Sequence, residues 1–168
     1  MSVKTLNLLI NFFWTILCFA PILWFWITEG LSAYFDWFLG FSLAIGLLPE
    51  KILNLFTLSS SRKFYERIGV KKVRRFVQNG DVVKAIAGKE KEQVVNNLSQ
   101  ARDYLKTISM YERFHLICFV FFLLTAILCF YYMRMELGLM ITIANLLYNV
   151  SSILLQQYNK IRIRNLTG

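Results

Sequence analysis

The sequence predicts an all-α integral membrane protein: four transmembrane helices arranged as two hairpins, with a large basic cytoplasmic loop containing an amphipathic helix. Three observations carry this expectation. Hydrophobic residues fill 57% of the 168 positions, above the roughly 45–50% of an ordinary soluble domain. They gather into four long runs. The charge is uneven as well: nineteen Lys and Arg against ten Asp and Glu give +9, of which +8 falls between residues 51 and 113. In a soluble chain that balance suggests nucleic acid. Beside apolar spans it marks the cytoplasmic side of a membrane, so membrane lipids are the expected partners and nucleic acid is not.

The first span is read over residues 6–28, long enough for the roughly 30 Å hydrocarbon core. Lys4 precedes it, but the apolar run exceeds the roughly 7–15 residues of a signal-peptide core, so a retained helix is expected. Pro21 lies inside it, and Trp14, Trp24 and Trp26 suit the interfaces. Glu29-Gly30 is a short turn, and residues 31–48 form the second span, with Asp36 as its one acid near the interface. Residues 51–113 make the basic cytoplasmic segment. Within it Val94, Leu98, Ala101, Leu105 and Ile108 follow helical spacing, which predicts an amphipathic helix on the membrane surface or across the bundle mouth. Asn79-Gly80-Asp81 reads as a turn. The third span is expected over 114–133, a turn at Arg134-Met135-Glu136, the fourth span over 137–158 and a basic tail over 159–168. An even number of spans puts both termini and the basic loop in the cytoplasm and the two short turns outside. The whole chain reads as one integral membrane domain.

Cys18, Cys118 and Cys129 all lie within apolar runs without paired spacing, so they read as small buried hydrophobes and no metal site is expected. The fourth span carries a different signal. Asn145, Asn149, Ser152, Gln156 and Asn159 recur at helical spacing along one stripe. A buried amide without a partner costs about 2–7 kcal/mol, so the stripe should face protein or a wet cavity, as packing glue or as the lining of a substrate site. His115, the one histidine, stands where the basic segment meets the third span, with Glu112 three residues before it. That spacing puts both on one helix face, where His115 is either a satisfied polar anchor at the interface, the commoner case, or a general base whose imidazole the carboxylate biases. The cations of the loop fit either anionic lipid or a phosphate-bearing substrate such as a coenzyme A thioester.

Three separated patches add a resemblance: Lys63-Phe64-Tyr65-Glu66-Arg67-Ile68-Gly69-Val70-Lys71-Lys72, then Glu112 with His115, then Asn145 with Gln157-Tyr158-Asn159-Lys160-Ile161-Arg162. In order and approximate separation, from Arg62 to Arg164, they resemble the small bacterial membrane family of glycosyl-4,4'-diaponeurosporenoate acyltransferases. After Lys72 the pattern departs, with Val73 and then Phe76-Val77 where that family has Trp and, further on, Pro. The resemblance implies a bacterial cytoplasmic-membrane enzyme of carotenoid pigment synthesis that attaches a fatty acyl group to the sugar of a glycosylated terpenoid. It implies no bound cofactor. The co-substrate would be an acyl thioester, on coenzyme A or an acyl carrier protein, and the partner a lipophilic glycosylated acceptor.

In that frame His115 is the expected base and Glu112 its orienting acid. Asn145, Tyr148, Asn149, Gln157, Tyr158 and Asn159 are expected to hold the substrate or its oxyanion, and Lys71, Lys72 and Arg162 the donor's phosphates. The alternative from another class is a non-catalytic membrane subunit whose amide stripe packs against a partner helix. A transporter-like pore fits less well, since no charged residues line a path through the membrane centre.

Overall fold

The computed structural model describes residues 3–76 and 98–167, with side chains over 5–74 and 99–164. The expected turn at Asn79-Gly80-Asp81 and the Val94 end of the amphipathic helix lie outside the described residues. Among the described residues every regular element is helical. Three helices are long and apolar enough to cross a membrane, or four if one bent pair counts as a single span.

Helix α1 (Val3–Glu29) passes through Pro21 without interruption. It buries Cys18, Ile22, Phe25 and Trp26 at positions i, i+4, i+7 and i+8, a single stripe. Gly30 separates it from α2 (Ala33–Gly46), which is only 14 residues long, about 21 Å at 1.5 Å per residue. The span expected over 31–48 is therefore a short helix that ends before Pro49. At Pro49 the chain bends by 97° into α3 (Glu50–Leu53) and the 3-10 turn Asn54–Phe56. Proline supplies no N–H to continue the helix and disfavours helical backbone at Leu48 before it. The carbonyls this break leaves open are met from another helix: Arg113 Nη1 donates to Gly46 O at 2.9 Å and Leu48 O at 2.8 Å. A Cβ at Gly46 would collide with Ile117 Cγ1 and Cδ1, so glycine is what lets α2 approach so closely.

Two short helices follow, α4 (Arg62–Arg67) and α5 (Val70–Phe76). Gly69 joins them at φ 89°, a left-handed conformation that suits glycine.

Helix α6 (Leu98–Tyr131) runs unbroken for 34 residues, about 51 Å. The expected amphipathic helix and third span are thus one rod, about 20 Å longer than the hydrocarbon core. It ends in a Schellman motif: Met133 N–H bonds Phe130 O at 3.1 Å and Arg134 N–H bonds Cys129 O at 2.9 Å, with Met133 at φ 59°. Helix α7 (Met135–Asn145), the π-turn Leu146–Val150 and α8 (Ser151–Thr167) then return antiparallel to α6. The expected fourth span and basic tail are continuous through them, at least to Arg164.

The main core joins α1, α6 and α7. Trp26 is its centre, ringed by Phe35, Phe38 and Phe121, and its Nε1–H reaches Thr125 Oγ1 at 3.3 Å. Two smaller clusters lie along α8. One packs Tyr65 and Val70 against Leu155, Tyr158 and Ile161; the other packs Ala101 and Ile108 against Ile163. An ion pair between Arg134 and Glu29 sets the α1–α2 and α6–α7 turns side by side at one end. Arg113 and the α2–α3 corner lie about 27 Å along α6 from Tyr131, near the other boundary of the core.

Candidate functional site

Two polar clusters line α6 at that second boundary, one facing the end of α7 and the π-turn, the other facing α8. The first begins at a backbone group. Asn145 Nδ2 donates to Phe119 O at 3.1 Å, Asn149 Nδ2 donates to Asn145 Oδ1 at 2.9 Å, and Asn149 Oδ1 lies 3.3 Å from His115 Nδ1. A carbonyl only accepts, so Phe119 O fixes which end of the Asn145 amide faces it. That in turn fixes the Asn149 amide, whose oxygen must face the imidazole. The hydrogen therefore sits on His115 Nδ1, and in the neutral ring Nε2 keeps its lone pair. Both amides are buried while His115 is half-buried. Its ring meets Phe114 and Tyr148 edge-on, each at 5.2 Å, and the Tyr148 hydroxyl lies 3.3 Å from Thr15 Oγ1 on α1. The π-turn that carries Asn149 is the kind of helix irregularity found often at functional sites.

The second cluster is built on Glu112. Lys160 Nζ lies 2.5 Å from Glu112 Oε2, and Gln157 Nε2 donates to Glu112 Oε1 at 3.1 Å. The side chains of this pair are only about one-tenth exposed. Gln157 also donates to Phe56 O at 3.1 Å and accepts at Oε1 from Leu58 N–H at 3.3 Å. The Tyr65 hydroxyl stands 2.9 Å from that same oxygen and 3.1 Å from Ser59 O, so its one proton serves either. Burial pushes the Tyr65 phenol up. A cavity of about 20 Å³, lined by Glu112, Gln157, Lys160 and Ser109 among others, adjoins this cluster. It has room for about one water.

Beyond it, at the α4–α8 contact, the Tyr158 hydroxyl donates to Glu66 Oε1 at 3.2 Å, while Arg62 and Lys71 pair with Glu66 at 2.8 and 3.0 Å. Those bonds, from Lys71 first and Arg62 next, hold the Glu66 carboxyl down at about 2. The guanidinium carbons of Arg62 and Arg162 lie 6.0 and 5.7 Å from the Tyr158 ring centre.

The structure therefore brings His115, Tyr148, Asn149 and Asn145 together, and separately Glu112 with Gln157. The expected Glu112–His115 coupling is replaced by different partners for each, because Lys160 and Gln157 face the carboxylate across the seam and Asn149 faces the imidazole. Asn145 and Asn149 each direct an N–H inside the chain. Lys71 is committed to Glu66, Lys72 is exposed, Arg162 stacks on Tyr158, and Asn159 is half-buried.

Along α8 the expected stripe changes face. Beyond Asn149 the buried polar residues among those described are Gln157 and Lys160, while Ser152, Gln156 and Asn159 are half-buried. The π-turn inserts one residue, which rotates the following face by about 100°. Lys160, Tyr65, Arg113 and Arg62 were not singled out from the sequence as site residues. For Lys160 the available signal was its place three residues after Gln157, on one helix face.

These features define a helical membrane protein with a relay of two buried amides to a half-buried histidine. The chain belongs to the glycosyl-4,4'-diaponeurosporenoate acyltransferase family, whose model matches residues 49–168 and so covers both clusters but not α1 or α2. Comparison with curated proteins and with solved structures gave no match.

Proposed function

We propose that the chain is a membrane acyltransferase that moves a fatty acyl group from a thioester to a hydroxyl of a glycosylated terpenoid or another lipid-linked sugar. The relay Phe119 O–Asn145–Asn149–His115 carries this reading, because it leaves His115 Nε2 as a basic nitrogen at the depth where a sugar headgroup meets the core. His115 Nε2 takes the hydroxyl proton as that oxygen attacks the thioester carbonyl. The tetrahedral intermediate then collapses, the C–S bond breaks, and the departing thiolate receives the proton from Nε2. Asn149 and Asn145 act as positioning residues for the ring. Lys72 and Arg162 would meet the donor's phosphates by charge. The basic segment and both termini are taken to face the cytoplasm, where thioesters are supplied. The bacterial cytoplasmic membrane is the corresponding location.

The test compares the lipids and pigments of cells expressing wild type or His115→Ala at matched membrane abundance, in a strain that supplies glycosylated terpenoid acceptors. An acylated glycoside present with wild type and absent with His115→Ala, with its precursor accumulating, is the expected outcome. Identical profiles would remove His115 from catalysis and leave a non-catalytic subunit as the reading to pursue.

A further inference from the structure

A groove of about 1220 Å³ runs between α1 and α7, open along its length and walled chiefly by apolar side chains. From Met135 to Leu147 it extends about 18 Å along the helix axis. One end is adjacent to the site: Leu147 and Ile16 line it, and their neighbours Tyr148 and Thr15 make the contact that abuts His115. The other end is polar, with Arg134 and Glu136 in the wall and Arg134 tied to Glu29. Apart from Met133 and Arg134 at its polar end, its walls lie within two candidate membrane spans, so its contents come from the bilayer side.

We infer that this groove holds the fatty acyl chain of the thioester donor, with the carbonyl at the Tyr148–Thr15 end and the methyl end toward Arg134. The inference rests on the acyltransferase reading and specifies its donor site. Length selects the occupant. The groove exceeds by only a few ångströms the roughly 15 Å of one leaflet, half the hydrocarbon core, which a single fatty acyl chain fills. A chain much longer would carry apolar carbon past the Arg134–Glu29 pair, at a desolvation cost. The polar end thus acts as a stop, and groove length sets the preferred acyl length. Ala20 lies midway along the α1 wall and is exposed, so a larger side chain there fills the groove without entering the core.

The experiment labels the purified full-length protein in nanodiscs with palmitoyl-coenzyme A bearing a diazirine at the chain end and maps the adducts. Adducts on the groove walls near Trp24, Met133 and Met140, competed by palmitoyl-coenzyme A and not by added phospholipid, are expected. Ala20→Phe should cut palmitoyl labelling about tenfold, equivalent to roughly two buried methylenes, and leave labelling by an octanoyl analogue near wild type. Leu139→Phe, exposed on α7 outside the groove, should change neither. Adducts elsewhere, equal competition by phospholipid, or an Ala20→Phe profile like wild type would overturn the assignment. Labelling does not require turnover, so its result separates from that of the function test: acyl transfer with adducts outside the groove removes the groove alone, and groove adducts without acyl transfer remove the catalytic reading alone.

Discussion

Removing one partner of the Glu112–Lys160 pair should destabilise the protein far more than removing both. The two side chains are about one-tenth exposed and their charged atoms lie 2.5 Å apart. Lys160→Met would leave a carboxylate facing only the Gln157 amide, and breaking a buried pair in this way costs about 3–5 kcal/mol. Glu112→Gln would strand the ammonium instead, at a similar cost. The double variant buries no net charge and should lie within about 1–2 kcal/mol of wild type, so the two single costs together exceed the double by at least about 4 kcal/mol. Unfolding in mixed micelles, followed through the buried Trp26, measures all four corners of the cycle. Additive single effects would refute the pairing. So would a Glu112→Gln variant of wild-type stability that loses activity as completely as His115→Ala, since the carboxylate would then act on the imidazole.

Three further outcomes follow from the helix contacts. The Glu66 carboxyl is held at about 2 against an ordinary 4.5, so its ion pairs contribute fully above about pH 4.5 and are lost as pH falls toward 2; an acid-unfolding profile should show that rise, and Glu66→Gln should abolish it. Gly46→Ala drives a methyl into Ile117 and should cost about 1–3 kcal/mol, with Ile117→Ala restoring part of it in the same unfolding assay; no loss in the single variant would place α2 further from α6. Met133 occupies a left-handed position in an exposed turn, so Met133→Gly should raise stability by about 1 kcal/mol, and a decrease would contradict the Schellman geometry.

The helical membrane class was legible because it depends on composition and run length alone, whereas Trp26, expected at an interface, is buried in the main core because neighbouring helices cover it. The second span was expected to stop before Pro49, as α2 does; the 97° bend that follows, held by Arg113, was not legible because it depends on a helix more than sixty residues away. The amphipathic helix and third span were read apart because their compositions differ, yet nothing between them breaks a helix, and α6 is continuous. In the candidate site, Asn145 and Asn149 precede the register change or sit within it and were placed together correctly. Past the π-turn, α-helical spacing pointed to Gln156 and Asn159, whereas packing buried Gln157 and Lys160. An inserted residue leaves no mark in a periodic pattern. The Glu112–His115 pairing was drawn from spacing on one helix; the partners that compete for them, Asn149 in the π-turn and Gln157 and Lys160 on α8, are a tertiary fact.

The central claim is that a chain of amides anchored on Phe119 O holds His115 with its proton on Nδ1. The protein has one histidine, so selective nitrogen-15 labelling reports a single imidazole, in nanodiscs above neutral pH. The relay predicts a protonated Nδ1 and an unprotonated Nε2 in wild type, with that preference lost in Asn149→Ala. A neutral ring carrying its proton on Nε2 in wild type, unchanged in Asn149→Ala, would contradict the relay and with it the assignment of Nε2 as the base.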